Sequence, residues 1–257
     1  AMSRSGSQGK WMASSVTEKD IKELQEARYL TAEIRHRLPA KEKIIPTPEP
    51  GERAVFLPHF LRGLGLPLYP FVRGLMFYYG LDFYDLAPNS FLHISAFIVM
   101  CEAFLRIPPH FGLWLKIFNV KPKVVDGKHA DCGGDMISKL PNGTWPKGAF
   151  IETVKVWQQE WFYITKLRRT KWAAIPEFRS GPPMRLFSWT AKGLDWGPQT
   201  EVQTLQARIT NMLSKMSVSP MWCRSCSSAA FSLASAGLPP CGSSIRRSRR
   251  PCNTSSA

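Results

Sequence analysis

The feature that most constrains the fold is an apolar-rich run of 15 residues, FLHISAFIVMCEAFL, at positions 91–105. Its pattern is that of a helix apolar nearly all round, and other elements must enclose such a helix. A membrane-spanning helix needs about 20 apolar residues, whereas this run is shorter and contains His93 and Glu102. The run therefore predicts the buried central helix of a globular domain, and no membrane partner is expected.

Neighbouring patterns predict a mainly α fold. PFVRGLMFYY reads as a helix that begins at Pro70 and is stopped by Gly80, because proline suits the first helical position and glycine the residue after the last. HFGLWLKIFNV, at 110–120, supplies a third helix. Together these helices predict a compact helical module over about residues 53–123.

The rest of the chain divides by composition. Thr17 and Asp20 form a capping-box pattern, which predicts short helices over 17–38. Four prolines make residues 39–52 an extended connector. VKVWQQEWFYIT, at 154–165, is rich in β-branched and aromatic residues and predicts a strand or short hairpin. The remaining segments are a disordered N-terminus at 1–16, a loop-rich α+β region with short strands at 124–198, a C-terminal amphipathic helix at 199–216 and a disordered tail at 217–257.

Charge gives the best functional signal. The net charge of +15 favours contact with polyanions, nucleic acid first. The tract WFYITKLRRTKW, at 161–172, sets cations between aromatic residues, so that phosphates can be neutralised while rings stack on bases. It predicts a nucleic-acid interface, and the alternative is a basic run that only faces solvent. The predicted nucleic-acid-binding residues are Lys166, Arg168, Arg169, Lys171, Trp161, Tyr163 and Trp172.

The opening residues and the cysteines bear on localisation. AMSRSGSQGKWMASS lacks the apolar core of a secretory signal. Six cysteines without secretion indicate reduced thiols rather than a disulfide framework. We expect an intracellular protein, cytoplasmic or nuclear and not secreted.

Several stretches resemble the gypsy-type transposon domain of plant long-terminal-repeat retrotransposons, in particular its grass versions. They are SSVTEKDIKEL (14–24), IIPTPEPGERAVFLPHFLRGLGLPLYPFVRGLMFYYGLDFYDLAPNSFLHISAFIVMCEAFLRIPPHFGLWLKIFNVKPK (44–123), ADCGGDMISK (130–139), WQQEWFYIT (157–165), KWAAIPEFRSGPPMRL (171–186) and GLDWG (193–197). The resemblance covers about four fifths of the chain, residues 11–216. It implies an origin in the N-terminal region of an element-encoded open reading frame, with no established enzymatic activity and no catalytic residues to carry over.

The spacing of the candidate reactive residues does not match a catalytic or metal-binding motif. Cys223 and Cys226 form a C-x-x-C pair, but the histidine and further cysteine that would complete a zinc knuckle do not follow. His129 and Cys132 lack a third, orienting residue, so a free thiol in a loop is the preferred interpretation. Glu102 reads as a paired or edge-exposed acid, with arginine as the expected partner. We therefore predict no catalytic residue, no cofactor and no metal.

The tail at 217–257 does not resemble the family. It is rich in Ser, Arg, Cys and Pro, a composition typical of GC-rich DNA translated in the wrong reading frame. Met221, Trp222 and Cys223 must be encoded ATG, TGG and TGY, and reading from the third base gives Val-Val. The hypothesis is a frameshift near Lys215 to Ser219.

Two functions follow from the residues and the resemblance. The first is a non-enzymatic structural or interaction protein of a retrotransposon, Gag-like in role, that self-associates or binds other element-encoded proteins. Its support is the packed helical centre and the exposed amphipathic helix predicted at 199–216, whose apolar face suits a core or a partner. The second is a module that binds RNA or DNA through the tract at 161–172.

Overall fold

A computed structural model describes residues 9–31, 34–66, 68–146, 154–165 and 199–215. Over these residues the fold is α+β, with 44% helix, 16% strand and three small sheets, so the prediction of a mainly α fold is wrong. The predicted tail at 217–257 and residues 1–8 lie outside the described part of the chain. The helices are α1 (Glu18–Glu26), α2 (Leu57–Leu61), α3 (Pro70–Tyr79), α4 (Pro88–Val99), a π-helical turn (Met100–Leu105), α5 (Phe111–Ile117) and α6 (Gln199–Lys215). The strands are β1 (Arg35–Arg37), β2 (Glu52–Phe56), β3 (Phe118–Lys121), β4 (Val124–Val125), β5 (Lys128–His129), β6 (Met136–Lys139) and β7 (Trp161–Thr165).

The apolar run at 91–105 lies in α4 and the π-helical turn that continues it. Pro88 occupies the first turn of α4, where its missing amide proton costs nothing. The helix ends where Arg106 adopts a left-handed conformation, with φ of 56°. Among the described residues, Pro88–Leu105 is long and apolar enough to cross a membrane, but 67% of it is buried within the fold. It is the enclosed central helix that the sequence predicts.

An aromatic cluster encloses α4. Phe97 stacks on Phe71 of α3 at a centroid distance of 5.3 Å and meets Trp114 of α5 edge-on at 5.2 Å. Trp114 in turn lies 4.6 Å from Phe118. The predicted helix at Pro70 is confirmed, and it ends at Gly80, whose φ of 65° suits a residue without a Cβ atom.

The third predicted helix is correct only in its first part. The chain leaves α5 after Ile117 and becomes β3, which pairs antiparallel with β6. Val120, predicted as helical, faces Ile137 across this ladder. The pairing partner lies outside the window in which helical periodicity is read, so the sequence pattern did not reveal the strand.

The largest sheet places β7 between β1 and β2, antiparallel to both. Of the short helices predicted over 17–38, α1 is confirmed with its Thr17–Asp20 capping box, but its continuation is β1. β7 confirms the strand predicted within 154–165. Because β1 and β2 run parallel on either side of β7, the chain between them must cross a face of the sheet. The proline-rich segment between β1 and β2 is that crossover.

The sheet separates two apolar clusters. Phe162 and Ile164 of β7 point into the cluster around α4, whereas Trp161 and Tyr163 point into a second, smaller one. The second cluster includes Trp11, which stacks on Phe56 of β2 at 5.6 Å. Residues 9–16, predicted as disordered, therefore contribute a buried side chain.

Helix α6 confirms the predicted amphipathic helix, and its apolar face is already occupied. Val202, Leu205 and Ile209 are buried, and the helix packs against α5 and the π-helical turn. The Arg208 guanidinium donates a 2.7 Å hydrogen bond to the carbonyl of Leu105. This face was expected to serve a core or a partner, and the structure assigns it to the core.

Gly133 provides a test of the packing. Its φ is +44°, and an added Cβ would lie 1.7 Å from the carbonyl oxygen of Tyr84. We expect Gly133→Ala to lower the free energy of unfolding by about 3 kcal/mol in urea titrations. Gly51, with φ of +86° and nothing within 4 Å, is the matched control, and Gly51→Ala should cost only about 1 kcal/mol. Equal losses in the two variants would contradict this account of the Tyr84 contact.

Candidate interaction surface

The structure describes the first five residues of the predicted nucleic-acid tract, and four of them are buried in β7. Trp161 and Tyr163 are 0% and 1% exposed, so neither ring face is open to a base. The indole Nε1–H of Trp161 donates to the Met12 carbonyl at 2.7 Å, and the Tyr163 hydroxyl accepts from the Thr47 amide at 2.9 Å. The other predicted contacts lie outside the described residues, and for them the interface stays a prediction; they are Lys166, Arg168, Arg169, Lys171 and Trp172.

A second basic segment meets the start of this tract. In the sheet, Arg35 of β1 is paired with Thr165, the residue that precedes Lys166 in the chain. The Arg35 side chain is exposed. The two basic segments are far apart in sequence, so only the pairing of β1 with β7 could have revealed that they meet.

A buried carboxylate fastens the crossover to the sheet. Glu52, at the start of β2, is 4% exposed. Arg37 of β1 binds it through both guanidinium donors, with Nε 2.9 Å from Oε1 and Nη2 against Oε2. The amide of Glu49 also donates to Oε2, at 2.9 Å. The bond from Arg37 keeps the pKa of Glu52 below its ordinary value although burial opposes this, and the same bond raises the pKa of Arg37.

The aromatic ring beside this ion pair completes the attachment. The Arg37 guanidinium lies 4.0 Å from the centroid of the Tyr163 ring, a cation–π contact. The Tyr163 hydroxyl holds the Thr47 amide on the same face. Residues 38–51, which we call the isoleucine loop, are thus held at their end by Glu52 and in their middle by Tyr163.

The isoleucine loop presents an apolar pair to solvent. Ile44 and Ile45 are 53% and 50% exposed, and they are consecutive in the chain. Pro46, the next residue, is buried. Proline fixes φ and removes backbone freedom, so the pair is displayed on a restrained segment. The prolines of this segment predict an extended connector, but they do not predict the exposed apolar pair.

In the described part of the chain, the cysteines and the most buried histidine are packed in the interior, and burial shifts their pKa values. Burial raises the pKa of the Cys101 thiol to about 12 and that of Cys132 well above its ordinary value. Reactive thiols need the opposite shift. Burial lowers the pKa of His59 to about 3, and its neutral ring donates from Nε2 to the Leu86 carbonyl at 3.0 Å.

The acid on the central helix lies at an exposed edge. Glu102 is exposed and accepts a short hydrogen bond from the Tyr69 hydroxyl. Its observed partner is therefore a tyrosine rather than the expected arginine. Burial first, and then this bond, raise the pKa of Tyr69. Among the described residues no group of three or more His, Cys, Asp or Glu side chains could hold a metal ion, and the predicted C-x-x-C pair lies outside that part of the chain.

Comparison with known proteins identifies the central segment. Residues 54–122 match the model of the family described as "Putative gypsy type transposon". This segment belongs to the gypsy-type transposon family. The match covers this segment and not the rest of the chain. No curated protein and no solved structure gave a significant match.

The matched gypsy-type segment is structurally incomplete by itself. It contains α4 with its enclosing helices, and it reaches from within β2 to the end of β3. The partners of these two strands, β7 and β6, both lie outside residues 54–122. The folded unit is therefore larger than the family match.

The Glu52 ion pair predicts a specific dependence of stability on pH. The folded-state pKa of Glu52 lies below its ordinary value of 4.5, so its contribution is present above the unfolded pKa and is lost as pH falls through the folded pKa. At pH 7 we expect Glu52→Gln to be about 2 kcal/mol less stable than the parent chain. The difference should shrink below about pH 4, as measured by urea titration at several pH values.

The exposed Glu42 provides the matched control. Glu42→Gln should leave the free energy of unfolding within about 0.5 kcal/mol of the parent at pH 7. A Glu52→Gln loss that stays constant down to pH 3 would show that the ionised pair is not its source.

Proposed function

We propose that this gypsy-type protein is a non-enzymatic structural and interaction protein, Gag-like in role, that self-associates or binds other element-encoded proteins. The observation that carries the proposal is the isoleucine loop, which holds Ile44 and Ile45 out to solvent on a fastened segment. Apolar side chains displayed in this way are typical of surfaces that a second protein covers.

The environments of the reactive groups support a non-enzymatic role. Catalytic groups are typically set in a cleft with pKa values tuned to accept or donate a proton. Here the Cys101 and Cys132 thiols are buried with raised pKa values, and the ring of His59 is enclosed by aromatic side chains. Each of these groups has a packing role that accounts for its environment.

The interaction role was predicted partly from an exposed amphipathic helix at 199–216. Because Val202, Leu205 and Ile209 are buried against the protein's own core, α6 does not supply that surface. The isoleucine loop replaces it as the feature that supports the proposal. We place the protein in the cytoplasm or nucleus, in keeping with reduced thiols at Cys101 and Cys132.

A nucleic-acid-binding role is the second candidate, and the position of Arg35 favours it. Arg35 pairs with Thr165, so the basic strand β1 lies where the tract at 166–171 begins. Each phosphate that a lysine or arginine neutralises releases counterions and adds to the affinity, so Arg35 would add to the cations of the tract. In this proposal Trp161 and Tyr163 hold the strand in the core and do not stack on bases.

Light scattering after size exclusion, with and without RNA or single-stranded DNA, separates the two roles. For the interaction role we expect the mass to rise with protein concentration without nucleic acid. Changing Lys166, Arg168, Arg169 and Lys171 together to alanine should leave this rise unchanged. For the second role we expect nucleic-acid binding that weakens with salt, with a slope that falls by about 3–4 in the quadruple variant.

The outcomes exclude one role or the other. Concentration-independent monomers that also fail to bind other element-encoded proteins would contradict the interaction role. Nucleic-acid retention that is insensitive to salt and to the four substitutions would contradict the second role. The quadruple substitution Lys19, Lys22, Lys116 and Lys215 to alanine, at exposed lysines elsewhere, is the charge-matched control.

A further inference from the structure

We propose that the isoleucine loop is a self-association surface, and that its occupant is the same loop of a second copy of this chain. The inference rests on the proposed interaction function and makes it specific, because it names the surface and the partner. Three observations carry it: the exposure of the apolar pair, the attachment of the loop and the charge pattern beside the pair.

The apolar pair is the first observation. Ile44 and Ile45 are each at least half exposed and adjacent in the chain, so two large apolar side chains meet solvent within one short segment. The other exposed large apolar residues in the described chain are not consecutive; they are Leu61, Phe77, Phe104, Val124, Met136 and Val156. Single exposed apolar residues are normal on protein surfaces, and the isoleucine loop differs in displaying two of them side by side in sequence.

The attachment of the loop is the second observation. The amides of Thr47 and Glu49 donate hydrogen bonds to Tyr163 and Glu52, and Pro46, the residue after the pair, is buried. A segment held in one conformation loses less conformational entropy on association than a free one. The loop therefore presents the isoleucines in a conformation that needs little ordering when a second protein covers them.

The charge pattern is the third observation, and it identifies the occupant. Lys41, Glu42 and Lys43 precede the pair, and Glu49 follows it, all in the same loop. A twofold contact between two such loops can bring the lysines of one copy opposite the glutamates of the other. A loop that carries both signs of charge is complementary to itself in a twofold contact, and a second copy is the occupant we infer from it.

The adjacent edge strand does not offer an alternative contact of the same kind. β1 is an edge of its sheet, and its sequence is Arg-His-Arg. Pairing two copies of β1 edge to edge would set like charges across from one another, which is destabilising. Association is therefore expected through the loop that follows β1 rather than through the strand.

Sedimentation equilibrium of the full chain tests the proposal. We expect the parent chain to self-associate and the double variant Ile44→Ser, Ile45→Ser to have a dissociation constant raised at least about tenfold. Phe77→Ser is the matched control, because Phe77 is 60% exposed on α3 and lies outside the loop. It should leave the dissociation constant unchanged. Circular dichroism and urea titration establish that each variant is folded.

A charge exchange tests the twofold arrangement. Glu42→Lys and Lys43→Glu should each weaken self-association, and mixing the two variants should restore it in a heterodimer detected by native mass spectrometry. Because both residues have exposed or partly exposed side chains outside the apolar clusters, neither variant should unfold the chain.

The failure of this inference is distinguishable from the failure of the proposed function. Self-association unaffected by the Ile44→Ser, Ile45→Ser change would overturn the inference and leave the interaction function in place at another surface. A parent chain that is monomeric but captured by other element-encoded proteins would do the same. A mixture of the two charge variants that stays monomeric, with the parent dimeric, would overturn the twofold contact.

Discussion

The insertion of strand β7 between β1 and β2 is the interaction on which the rest of the structure depends. Its alternate side chains enter two clusters: Phe162 and Ile164 face the core around α4, and Trp161 and Tyr163 face the second cluster. Without β7, neither β1 nor β2 would have its pairing partner in this sheet. Both apolar clusters would also lose the side chains that pack them on one side. A strand that is buried on both faces reads as a continuous apolar run, which is what WFYIT is.

Helices were predictable from the sequence because their signals are local, and sheets were not because their partners are remote. Pro70 and Gly80 mark α3, and the Thr17–Asp20 box marks the start of α1, within a few residues of each helix. The partner of β2, by contrast, lies more than a hundred residues later in the chain. Periodicity cannot report such a pairing, so residues within the predicted helical module formed strands instead.

The same contrast explains how much of the candidate surface could be foreseen. The prolines of the connector predict a restrained, extended segment, and that prediction needs only local geometry. The Arg37–Glu52 pair and the Thr47–Tyr163 hydrogen bond join residues from three strands and the loop. The tract at 161–172 was predicted to act as one unit because its cations lie between aromatic residues, but β7 places the first of these aromatic residues in the core. An aromatic ring can stack on a base only where its face is exposed, and the sequence pattern does not give that exposure.

The topology accounts for the existence and the position of the isoleucine loop. Because β1 and β2 are parallel and β7 lies between them, a crossover must return over one face of the sheet. Tyr163 and Arg37 lie on that face and hold the crossover down. A crossover held so closely has its inner residues, such as Pro46, buried, and it must direct its remaining side chains outward. Polar residues at those positions would satisfy the sheet equally well, so the stability of the sheet does not explain the two isoleucines, and the association proposed above would.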